Sequence, residues 1–314
     1  MTAPRLLVVG DLVSDIRVAP DGPVAVGEEV AGRISISGGG SAANQAAWLA
    51  RLGAAVTFVG RVGDDLIGSA LVEELERAGV TVGAARDGRY PTGTVACLIG
   101  EEGERSLVTS RGANAYLRAS DLDESCWAEA EVLVLTGYCF TAPTSAPVGR
   151  ALMAEAHRRG VPVALDPASA RLFAAYPGAA LLREQTSGAR WLFPSSSEAR
   201  ALAPADSDHQ AARDLLRSYH GVAVTRGAAG CVVASRDAPD PVTVAAVHPE
   251  RIVDATGAGD AFAAGFLYAW LKGYLPEAAA LKGAEVAAGA LATEGARPPP
   301  PPPDAGSRLP NLGL

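Results

Sequence analysis

The chain has 314 residues, 48% hydrophobic and 20% charged, with a formal net charge of −8. That length holds one large α/β domain with at most a small appendage, and the acidic balance, with no Lys/Arg cluster, argues against a nucleic-acid surface. No run of about 18 apolar residues occurs, so no membrane span is expected; the start MTAPRLLVVG lacks the long apolar stretch and cleavage site of a secretory leader, and a cytoplasmic protein is expected.

In chain order, RLLVVGD (5–11) is an apolar run that predicts a strand covered on both faces. The turn-rich segment 17–37 carries short alternating stretches and predicts strands outside the main sheet. NQAAWLARLG (44–53) has helical spacing and stops at a glycine; AVTFVGRVG (55–63) predicts the next strand and GSALVEELERAG (68–79) the next helix. Segment 91–112 again has short alternating strands, with GEEGE as a hairpin tip, and is expected to pair with 17–37 in a small separate layer. Further strands are predicted at 131–138, 161–168, 189–195 and 221–227, separated by helices such as 145–159 and 208–219. This alternation predicts an α/β fold, a mainly parallel central sheet with helices on both faces. The C-terminal stretch carries six consecutive prolines (298–303) and is expected to be polyproline II or a solvated tail.

Cys97, Cys126, Cys139 and Cys231 are scattered without a C-x-x-C pair, so free thiols are expected. His157, His209, His220 and His248 form no H-E-x-x-H pattern, and His157 and His220 are expected to complement helix ends.

The chemistry concentrates in DATGAGDAFAAGFL (254–267). Phe262, Phe266 and Trp270 fall four apart and Gly273 follows as a cap, so Gly257, Ala258 and Gly259 stand at the start of a helix with Asp260 in its first turn. Small residues let a ligand approach unpaired backbone N–H groups, which with the helix dipole make an anion site. A carboxylate beside such a pocket suits a base that takes a proton from a hydroxyl attacking phosphorus. On chemistry alone, a capped helix packed through small residues stands equal to this reading.

DATGAGDAFAAGF resembles the C-terminal signature of the PfkB, or ribokinase-like, family of carbohydrate kinases. GGSAANQAAWLARLGAAVTFVGRVG (39–63) resembles the N-terminal signature, with Gly39, Gly40, Asn44, Gly53 and Gly63 in place. The resemblance covers 5–303. It implies a ribokinase-like three-layer kinase domain over 1–303, with a β-sheet lid from 17–37 and 91–112 and a tail at 304–314. It implies Asp260 as catalytic base, Gly257, Ala258 and Gly259 as anion hole, and Asp15, Gly39, Gly40 and Asn44 as substrate contacts. TRGAAG (225–230) resembles the nucleotide loop, giving Thr225, Gly227 and Gly230, and ALATEGARPPP (290–300) the segment flanking the adenine. ATP and Mg²⁺ are implied as cofactors, and a K⁺ site near Asp254 and Thr256 as a further candidate. A lid of this kind often pairs between subunits, so a homodimer is a candidate.

The chain departs from the pattern. Ser195, a nucleotide-side candidate, stands where the family carries the Asn of Asn-x-x-Glu, and its shorter hydroxyl in place of an amide is expected to weaken contact with phosphate and alter magnesium affinity, while Glu198 is retained as a candidate magnesium contact through water or as a first-turn helix acid. Ala255 replaces a common Thr or Pro. Asp166 ends a strand, where α/β folds bind ligands, but Ala168 takes the Asn place of the D-P-N-x-R of keto-sugar kinases. Arg111 is either a substrate contact at the lid base or a surface charge.

The expected activity is ATP-dependent phosphorylation of a sugar hydroxyl, with a nucleoside kinase of the same fold as the alternative. Two remote alternatives are a non-catalytic sugar- or nucleotide-binding relative and an NAD-dependent oxidoreductase. The latter rests on Gly38, Gly40 and Ala43 as G-x-G-x-x-A, with Asp64 downstream. Against it, the first strand lacks the glycine pattern and DATGAGD goes unexplained.

Overall fold

The computed structural model describes residues 2–100, 104–171 and 178–299. The GEEGE tip at 101–103 and the polyproline and tail expectations for 300–314 lie outside the described residues.

Among the described residues the central sheet has nine strands, in the order Ala238–Val244, Cys231–Ser235, Gly221–Thr225, Trp191–Leu192, Val163–Asp166, Val132–Thr136, Arg5–Val9, Ala55–Val59, Thr81–Val82. Every pairing from Gly221–Thr225 to Thr81–Val82 is parallel. A hairpin absent from the sequence reading, Cys231–Ser235 with Ala238–Val244, extends one edge antiparallel. Successive strand side chains point to opposite faces, so one strand feeds two cores. Leu6 and Val8 pack with the helices Ser41–Arg51, Leu66–Arg77, Ala258–Leu271 and Pro276–Leu291. Leu7 and Val9 pack with Ala146–Arg159, Ala179–Gln185, Ser196–Leu202 and Asp208–Leu215. That is why the central strands read as continuous apolar runs.

Some boundaries moved. The run 55–63 breaks at Gly60, whose Cβ would stand 2.8 Å from the Gly10 carbonyl oxygen. The strand expected at 189–195 keeps only Trp191–Leu192, because Pro194 has no N–H and Ser195 already caps the following helix. His220 lies beyond the helix Asp208–Leu215, at the mouth of a strand, so only His157 sits in a helix's last turn.

A separate four-stranded sheet runs Gly32–Gly39, Val13–Pro20, Gly93–Ile99, Arg105–Ser110. It begins earlier than residue 17, so Asp15 lies on one of its strands and not in the turn after the first central strand. Register puts Ile16, Val18, Ile34, Ile36, Ala96, Leu98 and Val108 on one face. Asp15 and Arg17 are on the other, turned to the body of the molecule. The G-x-G-x-x-A glycines lie at the end of the strand Gly32–Gly39 of this small sheet, not after a parallel strand of the central one, which removes the structural context a dinucleotide fingerprint requires.

Candidate active site

The strand order reverses direction between Arg5–Val9 and Val132–Thr136, since the chain moves to one side through Ala55–Val59 and to the other through Val163–Asp166. In open α/β sheets ligands bind outside the carboxyl ends of strands at such a reversal. Asp11, Tyr138, Asp166, Ser195 and Thr225 all lie at or just past those ends.

Asp260 is 8% exposed in the first turn of Ala258–Leu271. Its two oxygens accept from the Ser41 hydroxyl (2.6 Å) and the Asn44 amide (2.8 Å), both in the opening turn of the helix Ser41–Arg51. Burial raises its pKa, and the hydrogen bonds from Ser41, Asn44 and Gln45 pull it back. Gly257 caps the helix with φ 74°, and a Cβ there would meet the Ala296 backbone at 2.6–2.7 Å, so only glycine fits. Ala258 N–H makes one long bond, 3.5 Å to the Ala255 carbonyl; among the described residues the N–H groups of Gly259 and Asp260 have no acceptor. These are the free donors an anion site needs.

Beside Asp260, Asp166 is pushed well above the usual carboxylate range by burial and by the Asp260 and Glu198 charges. Gln45 Nε2 stands 3.3 Å from both Asp166 Oδ2 and Ser41 Oγ, so Ser41 and Gln45 bridge the two carboxylates. Asp15 is raised to about 6, mainly by burial, with Arg297 opposing and Asp260 adding. A Cβ on Gly39 would lie 2.1 Å from the Asp15 carboxylate, and Gly40, at φ 97°, would strike the Asp11 carbonyl oxygen at 2.2 Å; the paired glycines let the small sheet lie against this turn.

The predicted nucleotide residues form a second group. Ser195 and Thr225 bridge in parallel across the sheet edge. Gly227 and Gly230, with φ 57° and 81°, shape the turn after Thr225. Behind them Asp208 takes the Ser196 hydroxyl (3.0 Å), Arg200 (3.0 Å) and Arg226 (3.5 Å), tying loop to helix. Ser195 and Glu198 form a reciprocal cap: Ser195 N–H donates to Glu198 Oε2 at 2.7 Å, and Glu198 N–H to Ser195 Oγ at 3.4 Å. The Glu198 carboxylate is thus committed in part to helix structure. No three His, Cys, Asp or Glu side chains gather as metal ligands among the described residues.

Other predicted residues lie elsewhere in the network. Arg111 is no surface charge: it forms a two-point pair with Asp11 (2.7 and 2.9 Å), touches Ser145, and lies 5.8 Å from the Tyr138 ring centre. Asp254 accepts from Thr256 and from Arg17. The segment 290–300, expected beside an adenine, contains Arg297. This buried residue donates to Glu74 (2.8 Å), the Gly39 carbonyl (3.0 Å) and Asn44 Oδ1 (3.4 Å), on the acceptor side.

Ser41, Gln45, Asp11, Tyr138 and Arg297 went unnoticed in the sequence. For Ser41 and Gln45 a signal existed: with Asn44 they stand at i, i+3 and i+4, a polar patch on the first turn of an apolar helix. Asp11, Tyr138 and Arg297 carry no local signal. A groove of about 700 Å³, lined by Val161–Val163, Arg190 and His220, is at the opposite, amino edge of the sheet, away from this chemistry.

The family model described as pfkB family carbohydrate kinase matches residues 3–303. An ATP-dependent ribose-1-phosphate kinase of Halopiger xanaduensis is 33% identical over 85% of this chain and 85% of its own length. A fructokinase of Escherichia coli is 31% identical over 84% of this chain and 83% of its own. Among solved structures, an adenosine kinase of Sinorhizobium meliloti superposes with a TM-score of 0.83 at 26% identity, over 95% of this chain and 96% of that one. An Arabidopsis thaliana ribokinase complexed with ribose and ATP gives 0.77 at 25% identity, over 95% and 96%. The chain therefore belongs to the pfkB carbohydrate kinase family, and is an ATP-dependent phosphotransferase with an alcohol group of a small sugar as acceptor.

Proposed function

We propose that Asp260 is the general base and that the N–H groups from Gly257 to Asp260 are the anion hole. The acceptor hydroxyl rests between Asp260 and the incoming γ-phosphoryl group. As oxygen attacks phosphorus in line, its proton passes to Asp260, and the bond to the departing diphosphate breaks. Ser41 and Asn44 fix the carboxylate so that its remaining lone pairs face the acceptor, and the helix-start amides take the charge of the transferring group. The observation that carries this reading is a buried carboxylate, pinned by two side chains, in a helix turn whose N–H groups at 259 and 260 are unspent.

Asp15, Gly39, Gly40 and Asn44 frame the acceptor, and Thr225, Gly227, Gly230 and Ser195 the nucleotide. Glu198, through a water, is the residue that would hold magnesium brought with ATP, and the ion would supply positive charge against the phosphates. The small sheet acts as a lid that excludes water, which competes with the sugar as acceptor. Its outer face leaves Ile34, Ile36 and Val108 67%, 70% and 73% exposed, a surface suited to a second copy of the chain. Among the described residues no helix is long and apolar enough to cross a membrane, which is compatible with work in the cytoplasm.

A screen of ADP release over pentoses, hexoses, keto-acid sugars and nucleosides, run with Asp260→Ala beside the wild type, tests the reading. The expected result is turnover on one sugar class, lowered about 10²–10⁴-fold in the variant with acceptor binding nearly intact. Wild-type turnover in Asp260→Ala would overturn the mechanism. Preference for a nucleoside would favour the alternative that the adenosine kinase likeness keeps in view.

A further inference from the structure

We propose that Arg17 of the small sheet is a built-in cation that holds the loop 254–257, so that the enzyme needs no monovalent metal ion there. The inference rests on the kinase reading in one respect: that loop leads into the helix start assigned above as the anion hole.

Asp254 sets the conformation of the loop. Its Oδ1 accepts the Thr256 N–H (3.0 Å) and hydroxyl (2.7 Å); its Oδ2 accepts the Gly295 N–H (3.0 Å) and Arg17 Nη1 (2.6 Å). The side chain is 4% exposed. Each oxygen thus holds two donors, and no lone pair is left for a metal ion. The charge is met as well. Arg105, from the edge strand Arg105–Ser110, donates to Thr256 Oγ1 at 2.5 Å and stands 3.7 Å from Asp254 Oδ1. Glu294 lies 3.5 Å from Arg17. Two carboxylates against two guanidinium groups leave no net negative charge to recruit K⁺. The residues expected to hold a monovalent cation, Asp254 and Thr256, do not fit one here.

The guanidinium differs from a free ion in being attached to the lid. Arg17 is two residues from Asp15 on the same face of the same strand, and Asp15 is the carboxylate proposed to meet the sugar. Seating Asp15 over an acceptor therefore seats Arg17 on Asp254. Thr256 and Gly257 are then ordered for the phosphoryl group at the moment the acceptor is covered, which a diffusing ion could not do.

The test compares K⁺ with tetramethylammonium at equal ionic strength. Two readouts are taken: melting temperature, which needs no turnover, and kcat. For the wild type, neither readout is expected to respond: a melting shift under 1 °C and a kcat within twofold. Arg17→Ala is expected to lose at least tenfold in kcat, to gain thermal stabilisation from K⁺, and to recover part of its rate with K⁺ or guanidinium ion. Arg17→Lys should lie between.

A wild-type enzyme stabilised or activated more than tenfold by K⁺ would overturn the proposal, and so would an Arg17→Ala protein indifferent to K⁺ in melting. If Arg17→Ala does not fold, Arg17→Met, which keeps the apolar stem, replaces it, and the wild-type comparison is decisive without either. If melting behaves as stated while no acceptor supports ADP release, the kinase reading fails and the tether stands.

Discussion

Asp15 shows how one side chain can couple site and stability. Its ordinary pKa near 3.8 rises to about 6 because the small sheet buries it, and the Arg297 charge does not fully compensate. A raised carboxylate binds its proton more tightly in the folded chain than in the unfolded one. Its contribution is therefore fully present below about pH 3.8 and is lost as pH rises through about 6. Asp15→Asn is thus expected to raise the melting temperature more at pH 8 than at pH 5, by thermal unfolding at both; equal shifts would show that the buried charge is not the cause. Ala168 makes a second residue-scale case. It is the one non-glycine with positive φ among the described residues, 75°, held by its N–H to Asp166 Oδ1 at 2.9 Å. The left-handed conformation costs an L residue roughly 1 kcal/mol. Asparagine tolerates it better, so Ala168→Asn should raise the urea midpoint by the equivalent of about 0.5–1 kcal/mol. Both positions were singled out in the sequence, but neither the burial of one nor the strain of the other could be read there, because each depends on chain brought in from elsewhere.

At the scale of elements, the helix Ala258–Leu271 matters most, since its start carries the proposed base and its body is core. Of Phe262, Phe266 and Trp270, found by spacing alone, the last two meet aromatic partners at the sheet, and Phe262 meets Phe266. Trp191 lies 4.6 Å from Phe266 and 6.2 Å from Trp270, and Phe193 is 5.1 Å from Phe266, all edge-on. On its other side Gly265 and Gly283 let the helix Pro276–Leu291 approach until a Cβ at either would stand within 3.0 Å of its neighbour. Phe266→Ala is expected to cost about 3–5 kcal/mol of unfolding free energy and to lower kcat as well, through the loosened anchor of the Asp260 turn. Chemical denaturation and steady-state kinetics on one preparation would check both; lost stability with kcat intact would mean that the helix start is positioned locally. The cap at Ser195 and Glu198 is a counterexample to reading elements by family pattern: a pair expected at phosphates also performs the ordinary work of starting a helix.

For the whole molecule, the small sheet is the part whose two faces have separate tasks. The inner face carries Asp15 and Arg17 toward the body, and the outer presents Ile34, Ile36 and Val108 to solvent. If the outer faces of two copies pair, Ile36→Lys with Val108→Glu should convert a dimer to a monomer in sedimentation equilibrium while the central domain keeps its melting behaviour. A wild-type monomer at micromolar concentration would remove the dimer. The same sheet explains why the dinucleotide reading could be written at all. A strand, a glycine turn and a helix follow one another in sequence, and only the sheet to which that strand belongs separates the two readings.

The sequence by itself determined the layered α/β architecture, because strands buried on both faces must be apolar throughout and helices buried on one face must be periodic. It also determined the glycine-lined helix start with its acid, because such a turn tolerates few residue types. Tertiary structure alone decided which groups surround that acid. Ser41, Asn44, Asp166 and Asp260 come together from three distant segments, Arg297 arrives from the C-terminal stretch to hold Asn44, and Arg17 arrives from the small sheet to hold Asp254. Apart from the polar patch of Ser41, Asn44 and Gln45, those encounters leave no local mark, since a polar side chain at the end of a strand looks the same in the chain whether it will face solvent, a substrate or another charge.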